Sequence, residues 1–381
     1  MLRDKTIRSN LRLFLRGFRI FLVLPQKVPE TGDVVTSRAY KFAFTVVLVI
    51  ALACAVFVRV FLNAPKEPNS YNNFGLARAI FASACVAAIT LITISRSERI
   101  THVFNRLLEM EERVTLDRGD AWRMRAIVLF EIAAVFTFLA VFVQNTLSLE
   151  GENLLSRYIL AVSQPLVGVA SYASEITFMN ACLIVERYML FCHREIDRML
   201  ESDGGVSREG IGRIKRLYGE IYSIKDELYR IFSFILLMSL SICLVNMVFY
   251  VFVNIVKFQN GTHLPLEKDL FVTLFGAVMT VKLFILSTIC EGLKDTMNRT
   301  AVLVSRLWSN AEDEEEKTLL SSFLKETDSM DSTISSSGFA IIDHRLFNSM
   351  MANIFMYVVM LFQFDFPDYG TNPVSDLLVH S

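Results

Sequence analysis

Apolar residues in this chain gather into blocks of about 18 to 28 residues, each long enough to cross a hydrocarbon core of roughly 30 Å at about 1.5 Å per residue. Seven blocks qualify: 42–62, 74–95, 126–148, 158–185, 231–256, 269–291 and 347–364. Lipid offers backbone groups no partners, so each block is expected to be a helix, and the fold class is all-α and polytopic. The fourth block carries Pro165, Tyr172 and Glu175 and still spans if its polar groups face the bundle interior. The 381 residues are 53% hydrophobic, include 31 Phe and have a formal net charge of −1. That balance excludes nucleic-acid binding by bulk charge and a disordered acidic chain.

Lys and Arg set the expected orientation. Residues 1–41, 96–125, 186–230 and 292–346 hold 31 of the 38 cationic residues, whereas the opposite loops hold only Lys66, Arg157, Lys257 and Lys268. The asymmetry places the N-terminus in the cytoplasm and, with seven spans, the C-terminus outside, the reverse of a G-protein-coupled receptor. The sequon at Asn260 then falls outside, where glycosylation is possible, and the one at Asn298 inside. All six cysteines fall in spans or inner segments, so no extracellular disulfide framework is expected and buried thiols are the natural reading. Near the N-terminus, the apolar run Ile20 to Leu24 is too short for a signal-peptide core. Arg12, Arg16 and Arg19 with Leu11, Phe14, Leu15 and Phe18 suit a short interfacial helix instead.

The inner segments are long and mostly helical in pattern, while the outer loops are short. Ile214, Leu217, Ile221, Ile224, Leu228 and Ile231 recur at helical spacing and run without a breaker into the fifth span. The fourth span continues likewise through Tyr188, Leu190, Ile196 and Leu200 to a turn at Gly204-Gly205. Segment 292–346 is expected to hold a linker and an anchor helix carrying Leu319, Leu320, Phe323 and Leu324. The acidic run Glu312 to Glu316 reads as a solvated loop, since it lacks the spacing of a calcium site. The serine-rich DSTISSSGF reads as a flexible linker, with phosphorylation as the alternative.

Charges inside the spans divide into two groups. Arg59 and Arg78 lie near outer ends, where long side chains snorkel. Glu131, Glu175 and Lys282 lie in inner halves, and Lys282 is expected to pair with one of the two glutamates. No catalytic set emerges: P-loop, G-x-S-x-G and H-E-x-x-H motifs are absent and the five histidines are scattered. His193 and Glu195 in CHREID read as surface polarity. An enzyme is not expected, nor is any cofactor.

The segment GFAIIDHRLFNSMMANIFMYVVMLFQF resembles the C-terminal signature of insect gustatory receptors, whose last span reads Thr-Tyr, five apolar residues, then Gln-Phe. Here Tyr357, Val358 to Phe362 and Gln363-Phe364 match, preceded by Gly338-Phe339 and Asp343, while Met356 replaces the usual Thr. The resemblance implies a tetrameric ligand-gated cation channel, homomeric or built with related subunits, in the plasma membrane of gustatory neurons. Its last span, 347–364, would line one central pore.

In that arrangement Gln363 faces water and its own copies, which removes the burial cost of an amide in lipid and offers cations an oxygen ligand. Phe364 would form a hydrophobic constriction, and Met356, Val359 and Met360 would face the pore beside Tyr357. Asp365 and Asp368 either concentrate monovalent and divalent cations at the outer mouth or are ordinary tail residues.

Spans two to six hold Phe81, Phe142, Gln144, Asn145, Tyr158, Gln164, Tyr172, Asn246, Phe249, Tyr250 and Thr273 in their outer halves. This mixture of aromatic faces and polar groups suits a small organic tastant, sugar or bitter compound, within one subunit. Two rival classes share parts of this pattern. A G-protein-coupled receptor would need the opposite topology and an N-P-x-x-Y motif in the last span, and a secondary transporter would show repeated halves, which are not visible. Odorant receptors share the inverted architecture, but the Tyr, five apolar, Gln-Phe pattern favours the gustatory branch.

Overall fold

The computed structural model describes residues 26–27, 34–36, 38–57, 70–111, 113–114, 154–201, 207–259 and 266–365. The third apolar block with Glu131, the interfacial segment near the N-terminus, Arg59, Asn260, Asp368 and the 365–381 tail beyond Asp365 lie outside the described residues. Eight helices are described: α1 (Arg38–Phe57), α2 (Ser70–Ser95), α3 (Ser97–Glu111), α4 (Leu154–Glu201), α5 (Arg208–Gln259), α6 (Leu266–Asn310), α7 (Glu314–Ser329) and α8 (His344–Asp365). The described strands are β1 (Gln26–Lys27) and β2 (Val35–Thr36), an antiparallel pair with Gln26 opposite Thr36.

Length separates these helices into two kinds. At 48, 52 and 45 residues, α4, α5 and α6 are each about 70 Å long, more than twice a hydrocarbon core. Their apolar parts form one bundle and their polar parts continue unbroken into a second layer, as the period-3.6 pattern foretold for α4 and α5. Helix α6 continues to Asn310, so 292–310 is helix rather than the expected linker. Among the described residues, Leu76–Ser95 in α2, Arg208–Phe252 in α5 and Gly276–Asn310 in α6 are long and apolar enough to cross a membrane.

The helices α4, α5 and α6 pack mutually, with α1 on α4, α2 on α5 and α4, and α8 on α5 and α6. The break between α2 and α3 falls at Arg96, whose guanidinium donates to the carbonyls of Arg230 and Ile231 at 2.8 and 2.6 Å. All six cysteines are free thiols, five buried and Cys54 half-buried.

Beyond that break the layer is assembled from amphipathic faces. Helix α3 buries Ile100, Val103, Phe104, Leu107 and Leu108, while Arg106 pairs with Glu227 at 3.1 Å on the wet side. The Tyr188 hydroxyl donates to the Leu107 carbonyl at 2.6 Å, tying α4 to α3. Helix α7 buries Leu320 and Phe323, and Phe323 meets the Tyr218 ring edge-on at 5.6 Å.

Three expectations are corrected here. The acidic run is exposed but is not a loop: Asp313 caps α7 by accepting from the Glu315 amide, and Glu314 to Glu316 fill its first turn, where the helix dipole favours carboxylates. The serine-rich segment is an ordered reverse turn, with Ser336 and Ile342 amides donating to the Ala340 and Ile334 carbonyls, both at 2.8 Å. Its tip places Ser337 and Gly338 at φ of +52° and +79°, which explains a glycine there.

His193, expected at the surface, is 4% exposed and lies 2.8 Å from the Thr300 hydroxyl of α6. Glu195 does stay partly exposed and pairs with Arg198. Burial, helped by Arg299 and opposed by Asp197, lowers the His193 pKa from 6.5 to about 4. The unfolded layer therefore binds the extra proton between those two values, so its stability falls as pH drops from 6.5 towards 4, by about 3 kcal/mol in all. His193→Gln is expected to flatten that acid limb of a melting-temperature profile; identical limbs would count against the buried imidazole as its cause.

Candidate functional site

Helix α2 brings Arg78 against α5. Its Nη1 donates to the Asn246 Oδ1 at 3.1 Å and to the Tyr250 hydroxyl at 3.4 Å, and the guanidinium carbon sits 4.1 Å above the Phe249 ring centroid. The snorkelling expected of Arg78 is corrected: the side chain folds back onto two aromatic faces and an amide, where cation–π attraction repays part of its desolvation. The Arg78 Nε is buried without a hydrogen-bond partner. Among the described residues, no carboxylate pairs with this cation.

One helix away the charges are balanced. Lys282 of α6 and Glu175 of α4 form an ion pair at 2.6 Å, with side chains 14% and 2% exposed, so the expected pairing falls on Glu175. The Lys282 ammonium also lies 4.5 Å from the Tyr172 ring centroid, and the Tyr172 hydroxyl donates to the Met279 sulfur at 3.2 Å.

Of the residues named for ligand contact, Asn246, Phe249 and Tyr250 thus come together around Arg78, while Tyr172 lies beside the Lys282–Glu175 pair. Phe81 and Tyr158 are 41% and 56% exposed. Gln164 and Thr273 sit on α4 and α6, on stretches whose side chains are not described. Phe142, Gln144 and Asn145 lie outside the described residues. Arg78, Glu175 and Lys282 were not named for this role; their signal was a charge inside an apolar block, which lipid makes costly unless it has a use.

Helix α8 is one-sided. Met350, Ile354 and Val358, four residues apart, are buried against α5 and α6. By helical spacing Met356, Val359, Met360 and Gln363 occupy the opposite face, and all four are exposed. Tyr357 and Phe355, at 45% and 62% exposure, flank that face. Phe364 and Asp365 end the helix, on stretches whose side chains are not described.

The start of α8 is tied down. Asp343 caps it by accepting from the Leu346 amide at 2.9 Å, and Glu291 of α6 accepts from the His344 amide at 3.0 Å. Upstream, Lys225 of α5 donates to the Asp331 and Thr333 carbonyls at 2.6 and 3.1 Å, and the Tyr229 and Ser335 hydroxyls share a 2.8 Å hydrogen bond. Burial lowers the Lys225 pKa, while Asp331 opposes the shift. One helix, α5, therefore carries Asn246, Phe249 and Tyr250 at one end and grips the approach to α8 at the other.

Long helices crossing one apolar bundle and continuing into a polar helical layer define a multi-pass helical membrane protein. The chain belongs to the seven-transmembrane chemosensory receptor family, whose model matches residues 11–367. That family is one of chemoreceptors rather than enzymes. Among solved structures, the chain is similar to the insect olfactory receptor OR5 from Machilis hrabei in complex with eugenol, with a TM-score of 0.73 at 12% identity over 94% of this chain and 98% of that one. The same receptor described without eugenol matches with the same score and identity, covering 94% of this chain and all of the other. No curated protein sequence matches.

Proposed function

We propose that the chain is a gustatory receptor: a non-selective cation channel opened by a small-molecule tastant, with a pore lined by α8 from four subunits, identical or related. The observation that carries this reading is the face of α8 that bears Gln363. Exposed Met and Val suit lipid, but an amide among them does not, and a shared water-filled axis gives that amide partners. Phe364 beside it suits a constriction, and Asp365 and Asp368 suit a cation-concentrating mouth.

The excess of Lys and Arg in inner segments supports a cytoplasmic N-terminus, an extracellular C-terminus and a plasma-membrane site, with Asn260 open to glycosylation. The cluster of Arg78, Asn246, Phe249 and Tyr250 supports a ligand site within one subunit, at the end of the bundle away from the polar layer. A similar fold in a receptor bound to eugenol favours a small organic ligand, and the Tyr357 to Phe364 pattern favours taste over smell. The α5 grip on the 331–335 segment offers a mechanical route from that site to the pore helix.

Whole-cell recording of the chain against a panel of sugars and bitter compounds, with Gln363→Ala beside wild type, tests the reading. A ligand-evoked cation current whose permeability ratios or block change in the variant is expected. A current indifferent to Gln363 would contradict the assigned pore position, and saturable uptake without current would favour a transporter.

A further inference from the structure

We infer that the ligand of this site carries a carboxylate, and that Arg78 is the group that receives it. The inference rests on the receptor reading above and deepens it. Among the described residues, two cations, Arg78 and Lys282, enter the apolar bundle, and they are treated differently. Lys282 is neutralised within the chain by Glu175 at 2.6 Å. Arg78 has only neutral companions among the described residues: the Asn246 amide oxygen at 3.1 Å, the Tyr250 hydroxyl at 3.4 Å and the Phe249 ring at 4.1 Å.

A guanidinium always keeps its charge, and one folded back half-buried into an apolar bundle without a counter-ion is costly, which makes a use for it the natural expectation. Arg78 also keeps an unused donor. Its Nε is buried without a hydrogen-bond partner, and one guanidinium edge presents Nε–H and an Nη–H side by side in the fork that matches the two oxygens of a carboxylate. The Asn246 and Tyr250 contacts are made by Nη1, so the fork edge formed with Nη2 is not engaged by them. The rings of Phe249 and Tyr250 stand at 5.6 Å and 76° to each other, with the guanidinium carbon 4.1 and 5.4 Å from their centroids. They supply apolar and aromatic contact for the rest of a small molecule, which points to a compact organic acid with an alkyl or aryl body rather than an inorganic anion or a polyol.

The experiment uses the full-length protein purified in non-ionic detergent at neutral pH, and reads the thermal unfolding midpoint against concentration for hexanoate, benzoate and 4-hydroxybenzoate and their matched neutral amides. Acids are expected to bind the wild type at least about tenfold more tightly than their amides, and that preference is expected to vanish in Arg78→Gln and to weaken in Arg78→Lys, which keeps charge but lacks the fork. The comparison of acid with amide in wild type stands even if a variant fails to fold.

Absence of acid-selective binding across the panel, or a preference that survives in Arg78→Gln, would overturn the inference. So would stabilisation by phosphatidylglycerol that no acid displaces, which would assign the counter-ion to a lipid. Currents recorded with the same compounds separate the two levels. Acid-selective binding without current would uphold the ligand class and count against the channel reading; currents evoked equally by amides and indifferent to Arg78 would do the reverse.

Discussion

Lys282→Met is expected to lower the stability of the bundle by about 3–5 kcal/mol, because it leaves the Glu175 carboxylate buried without its partner. Glu175 is 1% exposed, and its second oxygen already lacks a hydrogen bond, so neither water nor a neighbouring donor is at hand to take over. Glu175→Leu alone, which strands the ammonium, is expected to cost a similar amount, somewhat relieved by the Tyr172 ring beside it. The double substitution Lys282→Met with Glu175→Leu is expected to return close to wild-type stability, since removing both charges also removes both desolvation costs. Thermal unfolding of the four proteins in detergent gives the coupling directly. Additive losses, with the double variant as unstable as the sum of the singles, would mean that the 2.6 Å contact carries no coupling.

The second large effect concerns the approach to α8. Lys225→Met removes the charged donor that holds the Asp331 and Thr333 carbonyls and is expected to cost about 2 kcal/mol, the unmet carbonyls outweighing the relief of a buried charge. The Asp331 amide, which donates to the Tyr222 hydroxyl at 3.1 Å, keeps one attachment, so the segment loosens rather than unfolding the layer. Faster protease cleavage within 330–340, with the melting of the remainder little changed, is the expected signature. If α5 transmits ligand binding to α8, the same variant also shifts the concentration of tastant needed for half-maximal current. Protection equal to wild type would show that the turn is held by its own hydrogen bonds instead.

The parts that were legible in the sequence are those governed by one helix at a time. An apolar stripe from Ile214 to Ile231 with no breaker ahead of the fifth span specifies a single rod, and α5 is that rod. A charge in an apolar block announces a partner, and counting rises from each span end narrowed the partner of Lys282 to two glutamates. What a single-helix pattern leaves out is rotation between helices. The long stem of Arg78 reaches water or protein equally well, so its sequence position suits snorkelling; only the rotation of α2 against α5 chooses Asn246 and the two rings.

The burial of His193 escapes the local sequence for a related reason. In CHREID it is flanked by Arg194, Glu195 and Asp197, yet helical spacing turns it inward with Met189 and Ile196, both buried. Two local signals do specify the structure found. Asp313 followed by three glutamates is an N-terminal capping pattern, and Ser337-Gly338 is a turn pair; composition alone made the first a loop and the second a linker.

The central claim is that the exposed face of α8 lines a water-filled pore rather than meeting lipid. Neighbouring residues on opposite faces test it: Val359 is 56% exposed and Val358 3% exposed. With the native thiols buried or half-buried, the current carried by Val359→Cys is compared with that of Val358→Cys under a charged, water-soluble thiol reagent. The account predicts block of Val359→Cys and not of Val358→Cys. Insensitivity of both, as lipid-facing or buried positions would show, or block of Val358→Cys alone, would contradict it.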